Sequence, residues 1–198
     1  MENKIAEQII RDELGPNGGL EGKSVAELER ENVRDPLTGA YNRRKYDTEI
    51  QKLDKKGQRY GLIMADIDYF RKFNKKYGRP AGDSVLIEVF RVFSDNLNIA
   101  IPEEKDIVVR WGGEEVAVIL PEIQDLNIAK NVAERLRDAV ESAGFKIGNK
   151  KVDLSISLGV GINEVGENGK VLEKRVDAAL NQSKKGGRNM VTVSEYGK

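Results

Sequence analysis

The stretch Val108-Val109-Arg110-Trp111-Gly112-Gly113-Glu114-Glu115-Val116-Ala117-Val118-Ile119-Leu120 places two runs of β-forming residues on either side of a glycine pair. This pattern predicts a β-hairpin, because both central positions of a tight two-residue turn favour positive φ. Glu114 and Glu115 follow the predicted turn directly, and adjacent acids at the start of an apolar strand are costly unless a cation neutralises them. The alternative is a solvated hairpin tip whose acids have no function, so the interpretation depends on a second acidic cluster elsewhere.

A second acid-bearing segment ends a predicted buried strand. Residues 60–67 are almost continuously apolar, which is typical of a central strand covered on both faces, and the run ends in Asp66-Ile67-Asp68. If this strand neighbours the hairpin, Asp66, Glu114 and Glu115 lie at one edge of the sheet. Their mutual repulsion there favours the binding of one or two divalent cations. Such sites serve displacement at phosphorus, in which one ion activates the attacking oxygen and the other stabilises the leaving group.

The positions of these acids also limit their roles. Adjacent residues in a regular strand face opposite ways, so Glu114 and Glu115 need not both bind a metal directly. Gly112 and Gly113 lack side chains, which would allow a large ligand to approach the backbone closely. The alternative for Asp66 and Glu114 is that both are merely solvated residues at strand ends.

The composition narrows the chemistry further. The 198 residues contain 33 Lys and Arg and 33 Asp and Glu, so no bulk electrostatic argument favours nucleic acid or a membrane as partner. Cysteine and histidine are both absent, so a metal must use oxygen ligands, which favours Mg²⁺ or Mn²⁺ over zinc. Without cysteine, a signal peptide or an apolar run of about 18 residues, we expect a cytoplasmic protein that makes no membrane contact.

Residues 1–32 are predicted to form a helical segment and linker. Apolar residues recur at helical spacing between Ile5 and Leu14, and Ser24-Val25-Ala26-Glu27 is a capping box that predicts a second helix. Residues 17–24 resemble a phosphate-binding P-loop, but Asn17 occupies its first glycine position and no strand precedes the loop. A flexible linker is therefore the preferred interpretation.

Residues 33–198 form the second predicted domain, in which helices alternate with strands. A turn is expected at 35–39, helices at 42–55, after the loop 78–83, at 128–143 and at 172–183, and strands at 152–160, with one polar face, and 190–193. Helices interleaved with strands around one hairpin indicate an α/β or α+β sheet with helices packed on it.

Several motifs of this domain together resemble the GGDEF family of diguanylate cyclases. They are Asp35-Pro36-Leu37-Thr38-Gly39 with Asn42-Arg43-Arg44, Asp66-Ile67-Asp68-x-Phe70, Asn74, Gly78, Gly82-Asp83, Arg110-x-Gly112-Gly113-Glu114-Glu115, and Lys184-x-x-Gly187-Arg188-Asn189. The match covers about residues 33–194 in the family's order and spacing. The resemblance implies an α+β (α/β sandwich) domain. Its fold would be palm-like, nucleotidyl-cyclase or ferredoxin-like, with a mostly antiparallel sheet and helices packed around it.

The resemblance also implies a reaction and its partners. Each subunit would bind one GTP, and two subunits would meet as a homodimer. Each 3′-hydroxyl would then attack the α-phosphate of the other GTP, giving cyclic di-GMP and two pyrophosphates. The cofactor would be Mg²⁺ (or Mn²⁺), with two ions per active half-site. The alternatives are a GGDEF-like regulatory module that binds GTP without turnover, and a synthase of another cyclic dinucleotide.

The family's site residues carry over to this chain by position. Asp66, the Ile67 carbonyl and Glu114 would hold the metals, with Glu115 beside them, and Glu114 is the candidate to deprotonate the 3′-hydroxyl. Among the substrate-binding residues, Asn74 and Asp83 would contact the guanine edge. The triphosphate would be held by the backbone N–H groups of Tyr69, Phe70 and Arg71 together with Lys184 and Arg188. The nucleotide would approach the backbone most closely at Gly112 and Gly113. An acidic acceptor suits the N1–H and N2 donors of guanine.

Simpler roles for some of these residues stay open. Asn74 and Asp83 are alternatively an ordinary polar residue and a helix N-cap. Lys184 and Arg188 are alternatively cations that favour the C-terminus of the last helix.

Some positions depart from the family's pattern. Val116 replaces the aromatic residue that closes the signature, while Lys75, Arg79 and Asn181 stand where aspartate, histidine and tyrosine are usual. None of these changes removes a proposed metal ligand or base-reading residue.

The family's product-inhibition site is also altered. It is an Arg-x-x-Asp before the hairpin, and here its two positions are Glu103 and Asp106. Without the arginine, we expect feedback by an anionic dinucleotide at this site to be lost.

Overall fold

In a computed structural model, the chain divides into two units between Arg34 and Asp35. The structure describes residues 32–97, 106–121, 123, 125–194 and 196. The predicted helix at 5–14, the capping box at 24–27 and Glu103 lie outside the described residues. The elements of the second unit are β1 (Tyr41–Asn42), α1 (Arg43–Lys55), β2 (Gly61–Ile67), α2 (Phe70–Tyr77), α3 (Arg79–Asp95), β3 (Ile107–Gly112), β4 (Glu115–Leu120), α4 (Leu126–Ser142), β5 (Lys146–Ile147), β6 (Lys150–Lys151), β7 (Ile156–Ile162), α5 (Gly169–Lys185) and β8 (Val191–Val193).

Six strands form one sheet in the order β1-β3-β4-β2-β7-β8, and β5 pairs with β6 in a separate hairpin. The four central strands β3, β4, β2 and β7 pair with one another in antiparallel fashion, whereas the edge strands β1 and β8 pair in parallel with β3 and β7. The mostly antiparallel α+β architecture is confirmed. The register places Asp66 of β2 opposite Glu115 on one side and opposite Ser157 on the other.

The helices cover both faces of the sheet, so β2 is buried on both sides as its apolar run predicts. Ile63 and Ala65 belong to the apolar core that includes residues of α3 and α4. Leu62 and Met64, which alternate with them, belong to the core that includes residues of α1 and α5. Successive residues of β2 therefore face opposite sides of the sheet, and this alternation continues to the end of the strand, where the acidic residues lie. No helix among the described residues is long and apolar enough to cross a lipid bilayer.

The strand β7 differs from its prediction. It covers Ile156–Ile162 rather than 152–160, and all of its residues are buried, so it has no polar solvent-facing side. Ser157 is fully buried and donates a hydrogen bond to Asp68 Oδ1 at 2.7 Å. The serine that suggested a solvated face is therefore an internal hydrogen-bond donor.

The loop predicted at 78–83 is also wrong. A single residue, Gly78, separates α2 from α3, and its φ of 85° makes the corner between the two helices. Pro80 lies in the first turn of α3, where its missing N–H is not needed for a helical hydrogen bond. Asp83 is consequently the fifth residue of α3, and the alternative that it caps this helix is wrong.

Candidate active site

The hairpin turn lies one residue later than the sequence predicts. β3 ends at Gly112 and β4 begins at Glu115, so Gly113 and Glu114 occupy the turn. Gly113 has a φ of 56°, whereas Gly112 is not in the left-handed region. The shift separates the two acids, because Glu114 lies in the turn and Glu115 is the first residue of the strand.

Asp66 and Glu115 are directly opposed across β2 and β4, so their side chains share one face of the sheet. Burial raises the pKa of Asp66, and the charges of Glu114 and Asp68 act in the same direction against the opposing effect of Lys184. Burial also raises the pKa of Glu115, and the neighbouring charge of Asp66 adds to it. The acids predicted to converge are thus brought to the same end of the central strands.

Lys184 supplies the cation of this acidic edge. It lies in the last turn of α5, and its Nζ is 2.9 Å from Asp66 Oδ2. Its contacts therefore extend beyond the C-terminus of its own helix. Asp177 lies two turns earlier on α5, and no motif of the sequence singled it out. Its charge raises the pKa of Glu115, and its carboxylate accepts a hydrogen bond from Asn181 at 3.2 Å.

The N-terminus of α2 opens beside these acids. Tyr69 occupies the N-cap position with a φ of 56°, and no side chain of the described residues caps the helix there. The N–H groups of the first helical turn have no intrahelical acceptors, which makes such a terminus suited to anions. Tyr69 is 52% exposed, and the Arg188 guanidinium lies 4.4 Å from its ring centroid. The structure thus brings the predicted triphosphate-binding segments 69–71 and 184–188 together.

Asp68 is a buried member of the same motif whose role the sequence did not reveal. Its carboxylate accepts hydrogen bonds from the hydroxyls of Ser155 and Ser157, both at 2.7 Å. The backbone N–H of Asn189 donates to Asp68 Oδ2 at 3.0 Å. Asp68 therefore ties the loop after α5 to the segment between β2 and α2, and the alternating serines before and within β7 were its only signal.

The predicted base-reading residues are also near one another. A Cβ at Gly82 would lie 1.8 Å from Asn74 Oδ1, so the asparagine side chain packs on the glycine that precedes Asp83. Asn74 Oδ1 is buried and has no hydrogen-bond partner among the described residues. Asp83 is exposed. An unpartnered amide oxygen beside an exposed carboxylate leaves hydrogen-bonding capacity for a ligand.

The metal predicted at the acidic edge can be tested against the donors present. Asp66, Ile67, Glu114 and Glu115 offer only oxygen atoms, which suits Mg²⁺ or Mn²⁺. Crowded carboxylates with raised pKa values are also the environment that a cation relieves. In the described ranges no three acidic side chains converge as a preformed metal cage. The residues therefore fit a Mg²⁺ ion that has one or two protein carboxylates and completes its shell with substrate phosphates and water.

Of the two positions that correspond to the product-inhibition motif, the structure describes one. Asp106 directly precedes β3, whereas Glu103 is not described. The loss of feedback inhibition stays a prediction.

Comparison with known proteins identifies relatives of this chain. Residues 32–190 match the family model "Diguanylate cyclase, GGDEF domain". Diguanylate cyclase A of Treponema denticola is 37% identical over 147 residues, which are 74% of this chain and 38% of the relative. Diguanylate cyclase VdcA of Vibrio cholerae is 33% identical over 172 residues, or 85% of this chain and 49% of the relative. The chain thus spans less than half the length of these two relatives.

Solved structures share the same fold. The coiled coil and GGDEF domain of DgcB from Caulobacter crescentus, in complex with c-di-GMP, has a TM-score of 0.76 at 28% identity and covers 97% of this chain and 95% of its own. The diguanylate cyclase SiaD from Pseudomonas aeruginosa, in complex with its activator SiaC, has a TM-score of 0.75 at 32% identity, with coverages of 96% and 68%. Since the family model matches most of its length, the chain belongs to the GGDEF-domain family of diguanylate cyclases.

Proposed function

We propose that this chain is a diguanylate cyclase that condenses two GTP molecules into cyclic di-GMP and two pyrophosphates. The main support is one juxtaposition: the opposed Asp66 and Glu115 lie at the strand ends, and Lys184 of α5 pairs with Asp66 there. The uncapped N-terminus of α2 and Arg188 provide positive potential close to these acids. A nucleoside triphosphate with its divalent cation is the ligand whose charges complement both parts.

Recognition of GTP is assigned to two places. Asn74 and Asp83 face the guanine edge, where the carboxylate of Asp83 accepts from N1–H and N2. The triphosphate is held by the N–H groups of Tyr69 to Arg71 together with Lys184 and Arg188. The Gly112–Gly113 backbone lets the nucleotide approach the hairpin closely. Lys75 in the last turn of α2 and Arg79 at the start of α3 are both exposed and add positive charge near Asn74, at the guanine-binding end of the site.

The metal site is assigned to the acidic edge. Asp66, the Ile67 carbonyl and Glu114 would hold Mg²⁺ or Mn²⁺, two ions per half-site, with Glu115 beside them. When bound, such ions lower the pKa of an attacking hydroxyl and neutralise charge on a leaving pyrophosphate.

The chemical step joins two half-sites in a homodimer. A bond forms between O3′ of one GTP and Pα of the other, while the bond from Pα to the departing pyrophosphate breaks. Glu114, which lies in the turn rather than within the strand, accepts the proton of the 3′-hydroxyl. The same step repeated in the other direction closes the ring and releases the second pyrophosphate.

A second candidate is a GTP-binding regulatory module without turnover. The 2.9 Å ion pair between Lys184 and Asp66 supports it, because a lysine that stays on this carboxylate competes with a metal ion for the same oxygen. The two candidates predict the same binding and differ only in product.

The deciding experiment incubates the protein with GTP, with ATP and with both, in the presence of Mg²⁺, and identifies products by mass spectrometry. We expect cyclic di-GMP from GTP, and a mixed dinucleotide would identify a different synthase. Glu114→Gln and Asp66→Asn should each lower turnover at least about 100-fold. Glu88→Gln, which changes an acid paired with Arg91 on α3, is the control and should leave turnover unchanged. GTP binding without any dinucleotide would establish the module instead, and unchanged turnover in Asp66→Asn would disprove the metal assignment.

A further inference from the structure

The loop between α5 and β8 has an unusual backbone. Arg188 and Asn189 have φ values of 69° and 48°, so two successive residues other than glycine lie in the left-handed region. This conformation costs free energy for a residue with a Cβ and persists only where the surroundings hold it. The contacts of Asn189 identify what holds this loop.

Asn189 is fixed from two directions. Its backbone N–H donates to Asp68 Oδ2 at 3.0 Å, which ties it to the segment before α2. Its side chain is held by α4: Arg137 Nη1 donates to Asn189 Oδ1 at 3.0 Å, and Asn189 Nδ2 donates to Glu141 Oε1 at 2.8 Å. Both ends of the amide are thus satisfied by one helix.

On α4, the side chain of Arg137 is held in place by neighbouring acidic residues. Arg137 donates to Glu134 at 3.1 Å and to Glu141 at 2.8 Å, and it also pairs with Asp138. Its side chain is only 15% exposed. The acids of α4 therefore orient the guanidinium, and one of its N–H groups is directed at the loop.

We propose that Asp68, Arg137, Glu141 and Asn189, here called the Asn189 clamp, are positioning residues that hold Arg188 over Tyr69 before a nucleotide binds. Arg188 directly precedes Asn189, so the clamp sets the backbone from which its side chain departs. The guanidinium then lies 4.4 Å from the centroid of the Tyr69 ring, and its Nη1 is 3.4 Å from the tyrosine hydroxyl. The expected effect on catalysis rests on the proposed function, because it is that proposal which assigns Arg188 to triphosphate binding.

The clamp predicts a particular kinetic effect. A cation fixed in advance loses less conformational freedom when phosphate binds, so the clamp strengthens nucleotide binding. Arg188 would contact the triphosphate both before and during the reaction, and loss of such uniform binding raises KM more than it lowers kcat.

The first test needs no nucleotide. Arg137→Met is compared with Arg91→Met, since Arg91 pairs with Glu88 and Asp95 on α3 at the same helical spacings but lies on a different helix. We expect amide hydrogen exchange at Asn189 to be about tenfold faster in Arg137→Met, because the loop opens more often. Arg91→Met should match the wild type. Equal exchange at Asn189 in both variants would overturn the clamp, whether or not the protein turns over GTP.

The second test measures the consequence with GTP and Mg²⁺. Arg137→Met should raise KM for GTP about five- to tenfold while kcat changes less than about twofold. Asn189→Gly should do the same, because glycine tolerates the backbone but lacks the amide. Glu141→Gln, which keeps an acceptor for Asn189, should stay near the wild type whereas Glu141→Ala should not. A fall in kcat at constant KM, or equal kinetics for the two Glu141 variants, would contradict the positioning role.

Discussion

Asp35 and Arg110 are 75 residues apart and join the start of the domain to the hairpin turn. Arg110 Nη1 lies 3.0 and 3.1 Å from the two oxygens of Asp35, and Arg110 Nε donates to the Gly113 carbonyl at 3.0 Å. Thr38 donates to the same carboxylate through both its N–H and its hydroxyl. Burial acts to raise the pKa of Asp35, but these hydrogen bonds and the arginine charge outweigh it and lower the pKa below 3.8.

We predict that Asp35→Asn lowers the free energy of unfolding by about 1–3 kcal/mol at pH 7, because a largely buried, charge-assisted hydrogen bond is lost. Since the folded-state pKa lies below 3.8, this contribution is present above the unfolded-state pKa and is lost as the pH falls through the folded-state value. Urea unfolding at pH 7 and at a series of pH values below 3.8 measures both effects. Asp95→Asn, which removes an exposed partner of Arg91, is the control and should change little. An equal loss for Asp35→Asn at both pH values would contradict the assignment.

Two glycines of β7 determine how closely the strand approaches α5. A Cβ at Gly159 would lie 2.2 Å from the Val176 carbonyl oxygen and 2.5 Å from the Leu180 nitrogen, both of which are backbone atoms of the helix. A Cβ at Gly161 would instead meet side-chain atoms, with Ser194 Oγ nearest at 2.7 Å. Because Lys184 lies on the same helix, this packing also sets the distance from α5 to Asp66.

We predict that Gly159→Ala destabilises the protein by about 3 kcal/mol, because the strand and helix backbones must separate. Gly161→Ala should cost less, since ends of side chains can move aside. Both changes reduce the freedom of the unfolded chain equally, so their difference reports the obstruction alone. The midpoints of urea denaturation provide the measurement, and equal midpoints would mean that α5 adjusts without cost.

The elements that could be predicted are those whose local pattern and final environment agree. The apolar run of β2 has one interpretation because both faces are covered. The helix predicted at 42–55 is α1, and Asn42, its predicted first residue, is the N-cap that accepts hydrogen bonds from the first turn. The failures arise where a local signal has two meanings. Glycine and proline at 78–82 suggested a loop, but Pro80 fits the first turn of α3 and Gly82 makes room for Asn74.

The candidate site was predictable to a similar degree. Family motifs identified the acids and the candidate phosphate-binding cations, because short-range spacing preserves them. The sequence did not reveal the role of Asp68 or the contribution of α4, since these depend on contacts between residues 48 to 121 positions apart. The position of the turn was wrong by one residue because two adjacent glycines fit either register.

At the level of the whole molecule, the half-site proposed for each subunit would make the activity depend on assembly. We predict that the rate per subunit falls on dilution below the dimer dissociation constant and reaches a plateau above it. Cyclic di-GMP formation, measured across protein concentrations alongside sedimentation, tests this. Constant specific activity in a sample that sediments as a monomer would show that one chain suffices.

The sheet itself restricts how two copies can meet. Its edge strands β1 and β8 are only two and three residues long and pair in parallel with their neighbours. Edges this short present few unpaired backbone groups, so a second chain cannot extend the sheet through a long ladder of hydrogen bonds. This guards the folded domain against edge-to-edge aggregation at high protein concentrations. For the part of the chain that the structure describes, two copies would then associate through side-chain contacts rather than a shared sheet, and such an association can remain reversible.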